Sequence, residues 1–538
     1  MGNRDLSIAN PYPKGINALQ KVALIPITLG LIILIGALFN AYRSEQITLF
    51  FILAMVFLLG GTILFGYAQY KDHKPGIKNN GIWFRSLSNS GVLGWILGIA
   101  LTAFYIALYW FPEILGKPTG SETSNSGLLQ LFNPLSQLFK GQDASEWFVY
   151  GTLYTVTIAS LGIKFLYKYR HNAYHFKRTL VVIAAQFFLA YFIPEVLAGM
   201  KYNDAYNDQG KYQGYYNTDI KNTWPLDYDF HYDWQIEAFK QDAYQPFGKA
   251  FLVWGILMFL VVTPLITYYV GKRWYCSWVC GCGGLAETAG DGFRQLSDKS
   301  TPAWLLERII IHTVMVFILI ATTVSVYTYF TETSFKIPLN RYLLVAIIAA
   351  LMLGVIIWQK NKYKHIPFKK IYIVSGIVLL IFAVYTLFPG FEYEGNKALY
   401  FRTTTLDKWY GFFIGSAFSG VIGVGFYPML GNRVWCRFGC PMAGYMGLIQ
   451  RFKSRFRITT NGGQCISCGN CSTYCEQGID VRAYAQRGEN IVRASCVGCG
   501  VCSAVCPRGV LKLENGPEHN RIHGPIQISS NGLRVIQE

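Results

Sequence analysis

Ten apolar stretches, each close to the length of a bilayer-spanning helix, constrain the fold of this 538-residue chain more than any other feature. A helix needs about 20 mostly apolar residues to cross the hydrocarbon core. Charged residues make up only 14% of the sequence, whereas soluble proteins carry about 25%. The stretches run over 22–42, 47–67, 91–111, 147–167, 179–198, 250–270, 307–330, 342–358, 371–389 and 409–430. The sequence therefore predicts a polytopic all-α membrane protein with about ten transmembrane helices, surrounded by lipid.

The loops between these stretches alternate in charge, and the alternation predicts which side of the membrane each one occupies. Segment 168–178 carries four Lys/Arg and no acid, and segment 359–370 carries five and no acid. Segment 199–249 instead carries eight Asp/Glu against five Lys. Because basic loops stay on the cytoplasmic side, we expect both termini in the cytoplasm, 199–249 in the periplasm and the chain in the inner membrane. The net charge of +18 belongs to this pattern and does not indicate a nucleic-acid partner.

Eight cysteines near the C-terminus form two copies of one metal-ligand spacing. The copies are Cys465, Cys468, Cys471, Cys475 and Cys496, Cys499, Cys502, Cys506. Pro507 completes the second as C-x2-C-x2-C-x3-C-P, a run that holds [4Fe–4S] clusters and lends its fourth cysteine to the other cluster. We therefore predict cluster 1 on Cys465, Cys468, Cys471 and Cys506, and cluster 2 on Cys496, Cys499, Cys502 and Cys475. Zinc is the alternative, but its sites often include His, and no His lies between 465 and 506.

An internal repeat places two further cysteine pairs directly after two of the predicted spans. Gly271, Arg273, Tyr275, Cys276, Cys280 and Gly284 align with Gly431, Arg433, Trp435, Cys436, Cys440 and Gly444. On a helix, C-x3-C puts both thiols on one face, so Cys276, Cys280, Cys436 and Cys440 are expected to surround a third metal centre, iron–sulfur, Cu(I) or zinc. Arg273 and Arg433 are expected to lower the pKa of these thiols. Buried structural thiols are the alternative, and Cys282, which has no counterpart, stays unassigned.

These signals divide the chain into four parts. We predict an N-terminal five-helix region over 1–249, a second five-helix region with the loops 276–280 and 436–440 over 250–460, an α+β dicluster ferredoxin-like domain over 461–515 and a tail over 516–538. All 13 cysteines lie after residue 275, and thiols in metal-like spacings suit a reducing cytoplasm. The ferredoxin-like domain is therefore expected on the cytoplasmic side, in agreement with the charge pattern.

The twin loops followed by a two-cluster segment resemble the membrane polyferredoxin family. The resemblance covers roughly residues 250–510 and is most specific at 436–441 (CRFGCP) and Cys496–Pro507. This family includes NapH-type quinol-linked ferredoxins, NosR-type proteins and CcoG-type copper-maturation proteins. The resemblance implies electron transfer between quinones or the cytoplasm and redox partners, or copper reduction during oxidase assembly. The sequence departs from the family at Gly281, where Pro is usual, and at Glu476 after Cys475.

The combined prediction is an integral membrane iron–sulfur electron-transfer protein. Electrons are expected to pass between the dicluster domain and the four-cysteine site, with a quinone, a redox partner protein or other subunits of a membrane complex as partners. Every recognised centre lies on the inner side of a hydrocarbon core about 30 Å thick, so delivery to the outside requires such a partner. Glu195, in the fifth span, is a candidate proton acceptor for a quinol, with a solvated role as the alternative. A copper reductase or metal-handling assembly factor for a respiratory oxidase is the rival function, and a transporter with a ferredoxin sensor is a third.

Overall fold

The computed structural model describes residues 17–71, 92–119, 124–199, 247–332, 408–452, 454–461 and 464–516, the strands of three hairpins, and residues 350 and 357. The chain divides into two units. The first comprises Met1–Leu226, Phe239–Met315 and Phe413–Glu538, and it contains every cysteine. The second comprises Asp227–Ala238 and Val316–Phe412.

Helices make up the described part of the N-terminal region. They are α1 (Ala18–Leu38), α2 (Ile47–Tyr70), α3 (Val92–Trp110), α4 (Gly127–Lys140), α5 (Glu146–Lys168) and α6, which consists of Ala173–Ala184, the π-helical Ala185–Phe192 and Ile193–Gly199. Single 3-10 turns lie at Ser44–Gln46 and Pro112–Leu115. A short hairpin of β1 (Lys201–Tyr206) and β2 (Tyr212–Gly214) follows α6; residues 215–246 of the predicted periplasmic loop lie outside the described residues.

The second helical region carries the two cysteine loops. Its elements are α7 (Phe247–Leu257, the π-helical Met258–Val262 and Thr263–Tyr269), the π-helical turn Tyr275–Val279, α8 (Gly281–Thr288), the 3-10 segment Ala289–Leu296, α9 (Thr301–Glu332), the π-helical α10 (Tyr410–Ile422), α11 (Tyr427–Leu430), the π-helical turn Trp435–Gly439 and α12 (Pro441–Phe452). Strands β3 (Lys397–Ala398) and β4 (Phe401–Arg402) pair as a hairpin in the second unit.

Eight of the ten predicted spans coincide with helices; of the other two, 342–358 and 371–389, only residues 350 and 357 are among the described residues. Four of the described helices are long and apolar enough to cross a membrane: Ala18–Leu38, Ser44–Tyr70, Glu146–Lys168 and Ala173–Gly199. These four helices fit a membrane protein, whereas the predicted number of ten and the side on which each loop lies stay predictions.

Helices α1 and α2 pack as a closely spaced pair. Asn17 begins α1 by accepting a hydrogen bond from the backbone N–H of Gln20, and the Gln20 side chain accepts one from the N–H of Asn17, so the free donors of the first turn are satisfied. A Cβ at Gly30 would lie 2.7 Å from Leu58, and one at Gly61 would lie 2.8 Å from Ile27. Small residues at the interface therefore let the two backbones approach, as is common where lipid removes the hydrophobic drive for association.

Helix α4 is amphipathic and was not among the predicted spans. It buries Leu128, Leu129 and Phe132 among the other helices of the N-terminal region. Its last residue, Lys140, donates a hydrogen bond to the Glu195 carboxylate at 2.9 Å, and both side chains are largely buried. The solvated role considered for Glu195 is therefore wrong, because its carboxylate lies in a buried ion pair.

The ferredoxin-like module is α+β, as the sequence predicts. Strands β5 (Phe456–Thr460) and β6 (Leu511–Asn515) pair antiparallel, with Phe456 opposite Asn515 and Thr460 opposite Leu511. Between them lie three short helices, α13 (Asn470–Thr473), α14 (Val481–Arg487) and α15 (Val501–Ala504). Because β5 pairs with β6, the module includes residues from Phe456 onward. The tail that follows contains the hairpin of β7 (Ile526–Ser529) and β8 (Gly532–Val535).

Candidate metal centres

The eight C-terminal cysteines line two separate cavities, and each cavity takes three cysteines from one copy of the repeat and one from the other. Cavity 1 is lined by Cys465, Cys468, Cys471 and Cys506. Cavity 2 is lined by Cys475, Cys496, Cys499 and Cys502. The structure thus brings the thiols together in the interleaved grouping that the spacing predicts.

Local backbone geometry explains why each run of three cysteines curls around one space. Gly469 (φ 76°) and Gly500 (φ 76°) occupy the left-handed region immediately before α13 and α15, where a side chain is disfavoured. Ser467, between two of the candidate ligand cysteines, also has a positive φ of 57°. The short helices then carry the fourth cysteine of each copy away from its own cavity and toward the other one.

The two cavities differ in exposure. Ile466, Pro507 and Arg508 at cavity 1 are exposed to solvent. At cavity 2, Glu476 and Val497 are buried. Cavity 1 therefore lies at the surface of the module, and cavity 2 lies between it and the remainder of the first unit.

The two cysteine loops of the second helical region have the same backbone structure. The N–H of Cys280 donates to the carbonyl of Tyr275 at 2.8 Å, and the N–H of Cys440 donates to that of Trp435 at 2.9 Å. Each bond closes a π-helical turn, after which Cys280 and Cys440 are extended and a new helix begins. The expectation that each pair shares one face of a continuous helix is therefore wrong, since the second cysteine follows the turn rather than continuing it.

A reciprocal pair of hydrogen bonds joins the loops across the repeat. Arg273 donates to the carbonyl of Cys436 at 3.3 Å, and Arg433 donates to the carbonyl of Cys276 at 3.2 Å. The same Nη1 atom of Arg433 lies 3.7 Å from the Cys436 thiol. The matched arginines of the sequence repeat therefore hold the two loops against each other, and one of them also contacts a candidate ligand.

The loop thiols lie close enough to influence one another's ionisation. Burial raises the pKa of Cys276 well above its usual value. The neighbouring thiols raise it further, and Cys440 has the largest effect among them. Burial also raises the pKa of Cys436, although Arg433 opposes it. Arg273 and Arg433 do act to lower these pKa values, as expected, but the net pKa of each thiol is raised because loss of hydration outweighs the attraction of a nearby guanidinium. Thiolates at this site are favoured only when they share their charge with a metal centre.

Cys282 belongs to the same group of thiols, although Met442 occupies its aligned position in the second loop. A hydrogen bond with the Cys280 thiol, followed by burial, raises the pKa of Cys282. Among the described residues, no three His, Cys, Asp or Glu side chains converge as they would on a single metal ion.

A network of buried charges lies between cavity 2 and the cysteine loops. Its members are Lys168, Arg178, Arg294, Arg433, Glu287, Asp291 and Glu476, all at most 3% exposed. Four cations therefore face three carboxylates within this network, and the buried Arg273 adds a further positive charge beside the thiols. Seven charges are removed from water here, and such groups are tolerated only when each is paired.

Glu476 and Arg433 connect cavity 2 to the four-cysteine site. Glu476, which lines cavity 2, forms ion pairs with Arg433 at 3.0 Å and with Arg294 at 2.5 Å. Arg433 also pairs with Glu287 at 3.1 Å while contacting the Cys436 thiol. The path from one candidate site to the other therefore consists of two side chains in direct contact.

Residues from the N-terminal region complete this network. Lys168 of α5 pairs with Asp291 at 2.6 Å, and Arg178 of α6 pairs with Glu287. Sequence reasoning assigned both cations only to a basic loop. The sequence signal for these cations was the pair of carboxylates, Glu287 and Asp291, shortly after the first cysteine loop. The basic residues near them in sequence are too few to neutralise both carboxylates. Residues 1–249 thus contribute directly to the surroundings of the candidate centres.

The paired cations keep the network carboxylates ionised. Burial by itself raises the pKa of Glu287, but Arg178, Arg294 and Arg433 together hold it well below its usual value. For Asp291, Lys168 and Arg294 outweigh burial in the same way and lower the pKa. Glu287 and Asp291 therefore stay ionised over the physiological pH range.

Three segments of the chain match models of iron–sulfur families. A model described as a 4Fe-4S dicluster domain matches residues 457–507, and one described as a 4Fe-4S binding domain matches residues 252–300 and 412–459. These segments include all 13 cysteines. The chain is a 4Fe–4S protein.

A protein of Escherichia coli is similar to part of this chain. YccM of Escherichia coli (strain K12), a protein provisionally named for electron transport, is 24% identical over 238 residues. The alignment covers 44% of this chain and 50% of YccM, so the chain spans about half the length of this relative. No solved structure matches the chain. These similarities support an iron–sulfur electron-transfer family and do not single out the NapH, NosR or CcoG type.

Proposed function

We propose that this protein passes single electrons between its ferredoxin-like module and a centre at the membrane edge, and that it is linked there to a quinone or a respiratory redox partner. The contact of Glu476 at cavity 2 with Arg433, and of Arg433 with the Cys436 thiol, carries this proposal. When bound, [4Fe–4S] clusters supply one-electron storage at each site. The side chains of this chain hold the sites close together and set the charge around them.

The residues proposed to hold the clusters follow the two cavities. Cluster 1 is assigned to Cys465, Cys468, Cys471 and Cys506, and cluster 2 to Cys475, Cys496, Cys499 and Cys502. The backbone N–H of Ile479 lies 3.4 Å from the Cys475 sulfur, which is the type of contact that tunes the potential of a bound cluster. Burial of cavity 2 excludes water from that site, and exposure of cavity 1 leaves it open to exchange with solvent-borne partners.

A third centre is proposed on Cys276, Cys280, Cys436 and Cys440. The match of both loops to a 4Fe-4S binding domain favours iron over copper at this site. The excess positive charge of the buried network offsets the negative charge of four thiolates, which supports a permanently bound centre. A copper reductase remains the rival function because four thiolates also suit Cu(I).

The proposed location is the inner membrane with the module in the cytoplasm. Tyr174, in the basic segment 168–178, donates from its hydroxyl to the carbonyl of Gly498 at 3.0 Å, so this segment packs directly on the module. Basic loops favour the cytoplasmic side, and the module shares that side. Because the hydrocarbon core is about 30 Å thick, electrons that leave the membrane edge need a quinone or a partner subunit.

Metal and sulfide content per chain, combined with electron paramagnetic resonance during a redox titration, tests the proposal. We expect iron and inorganic sulfide for three clusters, with about one-third of both lost in Cys276→Ser and Cys436→Ser. Cys282→Ser is the matched control, since it removes a neighbouring thiol and is expected to keep all three clusters. Copper that disappears with Cys276 or Cys436 while iron stays constant would instead establish the metal-handling function.

A further inference from the structure

The surface around cavity 1 combines an apolar centre with a basic rim. Ile466 is 52% exposed, and Pro507 beside Cys506 is exposed as well. Arg482 and Arg508 line the same cavity and are also exposed. We call Ile466, Pro507, Arg482 and Arg508 the docking face. It lines cavity 1, in which Cys471 is buried and Cys465, Cys468 and Cys506 are partly buried.

The charge of the docking face is of one sign. No Asp or Glu lines cavity 1, and within the described residues neither Arg482 nor Arg508 forms an ion pair with a carboxylate. Other exposed cations of the module are paired with their neighbours: Arg487 lies 2.9 Å from Glu489. The two rim arginines therefore keep their full positive potential toward a partner, which is the arrangement that steers an oppositely charged protein to its site.

The buried position of cavity 2 makes the docking face the accessible end of the two-cavity module. Cavity 2 is lined by one carboxylate, Glu476, and no basic residue, and Glu476 is occupied by Arg294 and Arg433. The module belongs to the first unit. A soluble protein that approaches the module therefore reaches cavity 1 before cavity 2.

We propose that the docking face binds a small acidic one-electron carrier protein of the reduced-flavin or iron–sulfur type. This inference rests on the proposed function, because it assigns the partner of cluster 1. In the transfer, the carrier is oxidised by one electron and the centre at cavity 1 is reduced by one, and no bond forms or breaks. Small apolar contacts with charged rims are typical of such brief electron-transfer encounters, which bury little surface and dissociate quickly.

The test measures both binding and electron delivery with flavodoxin in its hydroquinone form as the acidic probe. The full-length protein is kept in an uncharged detergent, its affinity for flavodoxin is measured by biolayer interferometry, and cluster reduction is followed by stopped-flow absorbance. Arg482→Gln combined with Arg508→Gln is expected to weaken binding and slow reduction by roughly tenfold at low ionic strength, and to flatten the dependence of both on salt. Arg482→Lys combined with Arg508→Lys is expected to keep most of the wild-type affinity and reduction rate, since both positive charges are present.

Arg487→Gln is the control, because it removes one positive charge outside cavity 1 from the helix that also carries Arg482. Dithionite, a small reductant that needs no docking, is expected to reduce the wild type and the double variant equally. Equal flavodoxin affinity and rate in the wild type and the double variant would overturn the docking face while leaving the proposed function intact. Loss of binding to anionic lipid vesicles without change toward flavodoxin would overturn it in favour of a membrane-facing role. Absence of any dithionite-reducible centre would instead refute the proposed function itself.

Discussion

At the scale of single residues, Arg433 is where the two candidate sites meet. It contacts the Cys436 thiol, the carbonyl of Cys276 and two buried carboxylates, and it is 1% exposed. A positive charge so close to a thiolate site favours the more reduced, more negative state of a bound centre. The Arg433 guanidinium thus holds the two loops together and also places a positive charge beside the Cys436 thiol.

Replacing Arg433 by Gln is therefore expected to lower the reduction potential of the membrane-edge centre and to destabilise the protein by about 3–5 kcal/mol, the usual cost of breaking a buried pair. A redox titration followed by electron paramagnetic resonance gives the potential, and thermal unfolding gives the stability. Arg437→Gln is the control for charge, since Arg437 is also buried but pairs with Glu307 and contacts no thiol in the described residues. An equal potential shift in both variants would show that the thiol contact has no specific role.

Glu287 gives a prediction on pH. Its folded-state pKa lies well below its usual value, which is about 4.3 in unfolded chains. A carboxyl of this kind contributes stability above the unfolded pKa and loses it as the pH falls toward the folded pKa. We expect the free energy of unfolding to fall as the pH decreases below about 4.3, and to fall less steeply in Glu287→Gln. Glu489→Gln, at an exposed surface pair, is expected to retain the wild-type slope.

At the scale of elements, the two π-helical turns decide where the loop thiols go. The backbone hydrogen bond that closes each turn joins residues five apart, one more than in an α-helix. The second cysteine then has an extended backbone at the start of a new helix. Arg273 and Arg433 then hold the two turns together through the cysteine carbonyls. This close packing requires small residues next to those carbonyls.

Gly283→Ala tests that packing, because a Cβ at Gly283 would lie 1.8 Å from the Cys276 carbonyl oxygen. The backbone has to move, so we expect loss of about one-third of the bound iron and sulfide and retention of both ferredoxin-module clusters. Quantitative iron analysis and paramagnetic resonance check this outcome. Gly60→Ala in α2 is the control, since its Cβ would meet nothing within 4 Å. Full iron content in Gly283→Ala would contradict the close approach.

At the scale of the whole molecule, the N-terminal helices contribute two cations to the buried charge network. Lys168 and Arg178 extend from α5 and α6 to carboxylates more than 100 residues away in sequence. Without them, Asp291 and Glu287 would each lose a buried cation. The N-terminal region therefore supplies cations that pair with the two carboxylates after the first cysteine loop.

A double-mutant cycle on Lys168 and Asp291 tests this dependence. Lys168→Met leaves Asp291 buried without its 2.6 Å partner, and we expect a loss of about 3–5 kcal/mol of stability. Lys168→Met with Asp291→Leu is expected to be more stable than the sum of the single variants implies, by about 1–3 kcal/mol. Thermal unfolding of the four proteins gives the coupling. Strict additivity would mean that the two side chains do not interact.

Several features were predictable from the sequence because they depend on short-range spacing. Eight predicted spans coincide with helices, since an apolar run of membrane length has few alternatives in lipid. The grouping of cysteines around two cavities follows from the C-x2-C-x2-C-x3-C run and its flanking glycines. The amphipathic helix Gly127–Lys140 was missed because its apolar residues are interrupted by polar ones and lie on one face only. The buried ion pair of Glu195 was also missed, because its partner Lys140 lies 55 residues away.

By itself, the sequence determined that this chain has apolar helices, a two-cluster module and a repeated cysteine loop, because each of these is encoded in residues close together along the chain. Only the tertiary structure decided the π-helical turns, the exchange of arginine contacts between the loops and the burial of Lys168 and Arg178 beside Glu287 and Asp291. These features join segments far apart in the chain. Their energies depend on which charges lose water together, and residue spacing alone carries no information on that.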